Sequence, residues 1–226
     1  MLKKDLVNYV KSREIIEKKI GPFHVIIKDG IKGQVDIDAS FNAVARFLPS
    51  NFANLIDVTY IGQFDFLDER DVNAIFVDGS LFISNIQDND ADLIDDIVHE
   101  IAHAVEDRYP KFIYEDGKIE EEFLLKRSKL RSILHHQNYD IDHLNFLQVE
   151  YDENLDRFLY EEIGYDVLEQ LTVNIFVNPY AATSLREYFA SGFEEYYLGK
   201  KLYLKQLCPY VYNKVFVLNE NANEEI

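Results

Sequence analysis

His99 and His103 stand four residues apart, with Glu100 directly after the first. On an α-helix, positions i and i+4 lie one above the other, so both imidazoles can reach one metal ion from the same face. Glu100 projects about 100° further round the helix and can touch a metal-bound water instead of the metal. This is the HExxH arrangement of zinc peptidases. Such a site needs three protein ligands and a water, so a third ligand must come from elsewhere in the chain. His24 stands apart from the other histidines. His135 and His136 are adjacent and point to different faces of any helix. With Asp140, Asp142 and His143 they form a polar cluster that reads as solvated surface. Glu187 is the better candidate, with Glu194 and Glu195 as competitors on spacing.

These residues need elements to position them. From Asp92 to Tyr109 the chain has no Gly or Pro and reads as a helix, with Asp88, Asn89 and Asp90 available as caps. Ile94, Ile97, Val98, Ile101, Ala102 and Val105 form its apolar side; Asp92, Asp96, His99, Glu100, His103 and Asp107 share the other. A second helix is expected over Thr183–Leu198, capped by Thr183 or Ser184, with Leu185, Phe189, Phe193, Tyr196 and Tyr197 as its stripe and Arg186 as a blemish in it. Ahead of the motif the pattern predicts a helix over residues 2–19, strands over Phe23–Lys28 and Gln34–Ile37 paired as a hairpin, and a helix over Phe41–Leu48 ended by Pro49. It then predicts a strand over Ile56–Phe64 and a hairpin of Asn73–Val77 with Ser80–Asn85 around Asp78-Gly79. Ile119–Arg131 is a further, charged helix candidate.

The chain has 226 residues, enough for one large domain or two intimate lobes without covalent staples. A single cysteine, Cys208, excludes an intramolecular disulfide framework and fits a reducing compartment. Residues Met1 to Asp5 lead into a charged stretch without the apolar core of a secretory signal, and no apolar run approaches a membrane span. A cytoplasmic protein is expected, with virion association or non-classical export as the other routes. The net charge of −18 argues against nucleic acid and anionic membranes as partners. It suits a dication and a neutral or basic peptide.

Two segments carry a resemblance. His99-Glu100-Ile101-Ala102-His103-Ala104-Val105-Glu106-Asp107 and Asn178-Pro179-Tyr180-Ala181-Ala182-Thr183-Ser184-Leu185-Arg186-Glu187-Tyr188-Phe189-Ala190 resemble the two active-site segments of the anthrax lethal factor family, which includes the small Pro-Pro endopeptidases. In that family HExxH is followed downstream by a Tyr and, seven residues later, a Glu; Tyr180 and Glu187 have that spacing. The tail Leu204–Tyr212 is also similar. The chain departs from the pattern in a long stretch, about 108–177, and in Ser191, where members often carry an acidic residue.

The resemblance implies an α+β, zincin-like fold: a small mixed sheet with an edge strand before the HExxH helix, then a mostly helical C-terminal half. One metallopeptidase-like domain, 1–226, would consist of an α/β lobe over about 1–90 and a helical lobe over about 91–226, the insertion included. It implies Zn²⁺ held by His99, His103 and Glu187, with Glu100 as general base and Tyr180 as donor to the oxyanion. Asp96 and Asp107 are candidates to support the histidines. The activity implied is zinc-dependent endopeptidase hydrolysis of a protein or peptide; Ser80–Asn85 is either the strand that binds it by strand addition or half of a plain structural hairpin. Two other readings stand beside it. One is a regulatory peptidase like the ImmA/IrrE group, which lacks the Tyr-to-Glu spacing of seven. The other is a zincin-fold assembly or virion component with protein partners and little or no activity.

Overall fold

The structure, a computed structural model, describes residues 15–224. Its described elements form a five-stranded mixed sheet followed by a mostly helical C-terminal half. By internal packing the chain divides into two compact units, Met1–Arg108 with Ala222–Ile226, and Tyr109–Asn221. The motif helix thus belongs to the first unit.

In the first unit, β1 (Ile16–Ile20) and β2 (Phe23–Ile27) pair antiparallel across a tight turn in which Gly21 adopts φ +57°. A helix was expected over residues 2–19. Residues 2–14 lie outside the described residues, and Ile16–Ile20 is strand instead. The β-branched Ile16 and Ile20 suit a pleated backbone, and the turn at Gly21 closes the pair. The second correction concerns residues 34–37. They form no strand with β2, because Asp36 caps α1 (Ile37–Phe47) by accepting from the Ala39 N–H. β2 pairs instead in parallel with β3 (Val58–Gly62), and a parallel pair needs a crossover that α1 supplies.

β4 (Ala74–Val77) and β5 (Ser80–Ser84) form the expected hairpin. Asp78 and Gly79 at its tip have φ of +48° and +79°, the pair of left-handed residues that a two-residue hairpin turn demands. The order across the sheet is β1-β2-β3-β5-β4. This corrects the expectation for Ser80–Asn85. β5 pairs parallel with β3 on one side and antiparallel with β4 on the other, so it has no open edge. The edge on that side is β4. Phe23, Val25, Thr59, Ile61, Leu81 and Ile83 are buried on one face of the sheet. The motif helix α2 (Asp90–Arg108) packs against α1 and β4.

The second unit is helical. A short helix, Pro110–Tyr114, precedes α3 (Lys118–His136), which starts after Gly117 in the left-handed region at φ +71°. The stretch expected as an insertion continues with a short helix (Glu153–Arg157), a π-helical segment (Phe158–Ile163) and a further short helix (Tyr165–Leu171). A single 3₁₀ turn, Tyr180–Ala182, leads into α4 (Leu185–Leu198). A short helix (Lys201–Leu207) and α5 (Pro209–Glu224) follow. The core is aromatic: Tyr188 on α4 lies 5.4 Å from Phe123 and 5.9 Å from Phe176, ring centre to ring centre. Gly192 lets α4 and α5 approach, since a Cβ there would stand 2.5 Å from a Val211 methyl.

Candidate metal centre

The chemistry-bearing face of α2 is built within the first unit. Asn89 caps the helix, its Oδ1 accepting from the Ala91 and Asp92 N–H groups. Ile97, Val98, Ile101, Ala102 and Val105 are buried as the helical period required. The opposite side is less solvated than the pattern suggested, since Glu100, His103 and Glu106 are buried too. His99 is half-buried, and its ring centre lies 5.1 Å from that of His103.

Glu100 is held from β4. The Phe76 N–H donates to Glu100 Oε2 at 2.6 Å. In the antiparallel β4–β5 ladder, Ser84 N–H bonds Asn73 O, so the N–H groups of Ala74 and Phe76 face away from β5. A carboxylate aimed at a backbone donor makes a charge-assisted hydrogen bond, which fixes Glu100 in one rotamer. His103 has a carboxylate of its own: its Nδ1 lies 3.3 Å from Glu106 Oε2, one turn on.

Of the two aspartates expected to support the histidines, Asp107 is exposed. Asp96 lies within electrostatic reach of His99. Burial pushes the Asp96 carboxyl up to about 7, and the negative charge of Glu100 adds to that, against opposing contributions from His99 and a hydrogen bond to Gln87.

Glu187 and Tyr180 belong to the second unit. Ser184, and not Thr183, is the α4 cap; its Oγ accepts from the Glu187 N–H at 3.1 Å. The Glu187 backbone completes the cap while its half-buried side chain projects from the first turn. The 3₁₀ turn carrying Tyr180 is pinned at both ends. Asn178 Oδ1 accepts from the Ala181 N–H, and the Thr183 hydroxyl donates to the Tyr180 carbonyl. Arg186, which broke the apolar stripe, is exposed.

Sequence reasoning passed over the surroundings of Glu187. Leu185 N–H donates to the Val149 carbonyl, which ties the loop before the Glu153–Arg157 helix to the first turn of α4. From the same loop, the Tyr151 hydroxyl donates to Asp156 Oδ2. Burial raises the Asp156 carboxyl, and the charge of Glu187 adds to the rise. Burial likewise raises the Tyr165 hydroxyl, with Asp156 and Glu187 both contributing. No local spacing in the sequence marks these residues, which are spread from Tyr151 to Tyr165, and Asp156 and Tyr165 interact with Glu187 more than twenty positions on.

One ligand atom from each of His99, His103 and Glu187 lies within 4.8 Å of the others, and among the described residues this is the group of that kind. Glu194 is outside it, and Glu195 accepts from the Lys200 N–H at the end of α4. His24 faces Glu17 in the β1–β2 pair. His136 Nδ1 bonds the Ser132 carbonyl, and His143 stands 4.0 Å from Asp140 in an exposed pair. These histidines are not brought together with the motif.

The donor set of the group, two imidazoles and a carboxylate, suits a transition-metal dication better than calcium or magnesium, which take oxygen ligands throughout. Comparison with protein-family models, curated proteins and solved structures finds no match. Among the described residues, no helix is long and apolar enough to cross a membrane.

Proposed function

We propose that the chain is a zinc-dependent endopeptidase of zincin type, with His99, His103 and Glu187 as metal ligands. The observation that carries the reading is the convergence of these three donors, beside a base whose carboxylate is already fixed. Zinc held there supplies Lewis-acid polarisation and lowers the pKa of bound water toward ~7.

The chain's own groups do the rest. Glu100 takes the proton from the attacking water and passes it to the leaving amine, a transfer that contributes roughly 10²–10⁴-fold. The Phe76 N–H steadies the carboxylate in the direction needed for both transfers. Tyr180 donates its hydroxyl hydrogen to the oxyanion, a bond that strengthens as charge develops. Strand addition along β5 is closed because β5 is paired on both sides, and on the neighbouring edge strand β4 the outward Phe76 N–H is already taken by Glu100.

The test is cleavage of a peptide library by the zinc-loaded protein. Glu100→Gln keeps an acceptor for the Phe76 N–H and loses the base. It should retain zinc and lose cleavage by at least a hundredfold. Undiminished cleavage by that variant, or no cleavage of any peptide by zinc-loaded wild type, contradicts the reading.

A further inference from the structure

We infer that Glu106 is a positioning residue for the metal: it holds His103 as the Nδ1–H tautomer, so that Nε2 carries the lone pair. The inference rests on the metal reading above and adds to it a residue that neither the motif nor its spacing names.

The geometry is local to one helix. Glu106 lies three residues after His103 on α2, on the same side, with Oε2 3.3 Å from Nδ1. Both side chains are buried, at 11% and 5% exposure. A carboxylate only accepts, so a hydrogen bond at this contact requires the proton on Nδ1. A neutral imidazole with its proton on Nδ1 has its only lone pair at Nε2, the nitrogen at the outer end of the ring. A histidine ligand that donates its other N–H to a carboxylate is fixed in tautomer and ring rotation, and is made a stronger base toward the metal. The contact sits in a part of α2 that is buried from Glu100 to Glu106, where water competes little with it.

Asp107 was the acidic residue singled out after His103, yet it is exposed while Glu106 is 4% exposed. The two positions are 100° apart on the helix, roughly one residue's turn, and only the earlier one faces the imidazole. The burial that selects Glu106 comes from the packing of the whole helix, so the sequence cannot distinguish the two carboxylates.

The experiment measures two quantities on wild type, Glu106→Ala and Glu106→Gln. The first is the His103 tautomer in the metal-free protein, from the ring ¹⁵N shifts at a pH where the ring is neutral. The second is zinc affinity, by competition with a chromogenic chelator. Wild type should show the Nδ1–H tautomer. Glu106→Ala should move toward the Nε2–H tautomer and bind zinc about ten- to a hundredfold more weakly. Glu106→Gln, whose amide oxygen still accepts, should restore the Nδ1–H tautomer and most of the affinity. A merely structural glutamate would not move the ring shifts and be rescued in this way.

Unchanged tautomer and affinity in Glu106→Ala overturn the inference, and so does a Glu106→Gln variant that behaves like Glu106→Ala. If Glu106→Ala fails to fold, the wild-type His103 tautomer decides, and an Nε2–H ring in the metal-free protein overturns the inference. A wild-type protein that binds no zinc, with His103 still Nδ1–H, contradicts the metal reading instead, because the tautomer is read without metal.

Discussion

Asp96 is one turn before His99, and its carboxyl is raised by burial from 3.8 to about 7. Between those two values the folded protein keeps a proton that the unfolded chain gives up. The folded state therefore binds more protons, and stability falls as pH rises through this window, with the full cost reached above pH 7. The gap corresponds to on the order of 4 kcal/mol. Asp96→Asn removes the charge and keeps an amide able to bond Gln87. In metal-free protein it should be near neutral at pH 4 and raise the urea midpoint increasingly toward pH 8. A gain that is equal at both pH values would show that the Asp96 carboxyl is not raised. At this scale the sequence was informative wherever spacing alone fixes direction. His99, Glu100 and His103 follow from the helical period, whereas Glu187 was set above Glu194 and Glu195 by the spacing from Tyr180 that the resemblance supplies. It was silent on Glu106 and on Phe76, whose N–H reaches Glu100 across 24 positions of chain, because such contacts exist only once strand and helix have packed.

Elements were legible in proportion to how local their causes are. The β4–β5 hairpin follows from Asp78-Gly79, and the end of α1 from Pro49. β1 was hidden because its residues are mostly exposed, so no alternation of buried and solvated positions marks it as strand. The place of β5 between β3 and β4 depends on pairing with a strand more than twenty residues earlier, which no short pattern encodes. That pairing makes β4 the edge strand, and the outward Phe76 N–H of that edge is taken by Glu100. Within the helical unit, Gly192 is the element-scale counterpart, since it sits where α5 brings Val211 against α4. Gly192→Ala should raise intrinsic helix propensity yet lower stability by about 1–3 kcal/mol, because the added methyl must displace Val211 in a packed core. Urea unfolding of the variant checks this; an increase in stability would mean that the two helices are not held at this distance.

For the molecule as a whole, the coarse class that the resemblance implied, a small mixed sheet followed by a mostly helical half, is the one the described residues form. The boundary between units was not visible, because α2 reads equally well as the start of the helical part or as the last layer on the sheet. Packing against α1 and β4 places it with the sheet. The charge of −18 is spread along the chain and names no partner. The central claim is that three side chains, drawn from positions 99, 103 and 187, make one zinc site. Calorimetric titration of the metal-free protein with zinc tests it most directly, with His99→Ala and Glu187→Ala measured alongside. The expected result is a single site per chain in wild type, no comparable site in His99→Ala, and binding weakened at least about tenfold in Glu187→Ala. Wild-type protein that takes up no zinc while folded, or a Glu187→Ala variant that binds it as tightly as wild type, would contradict the account.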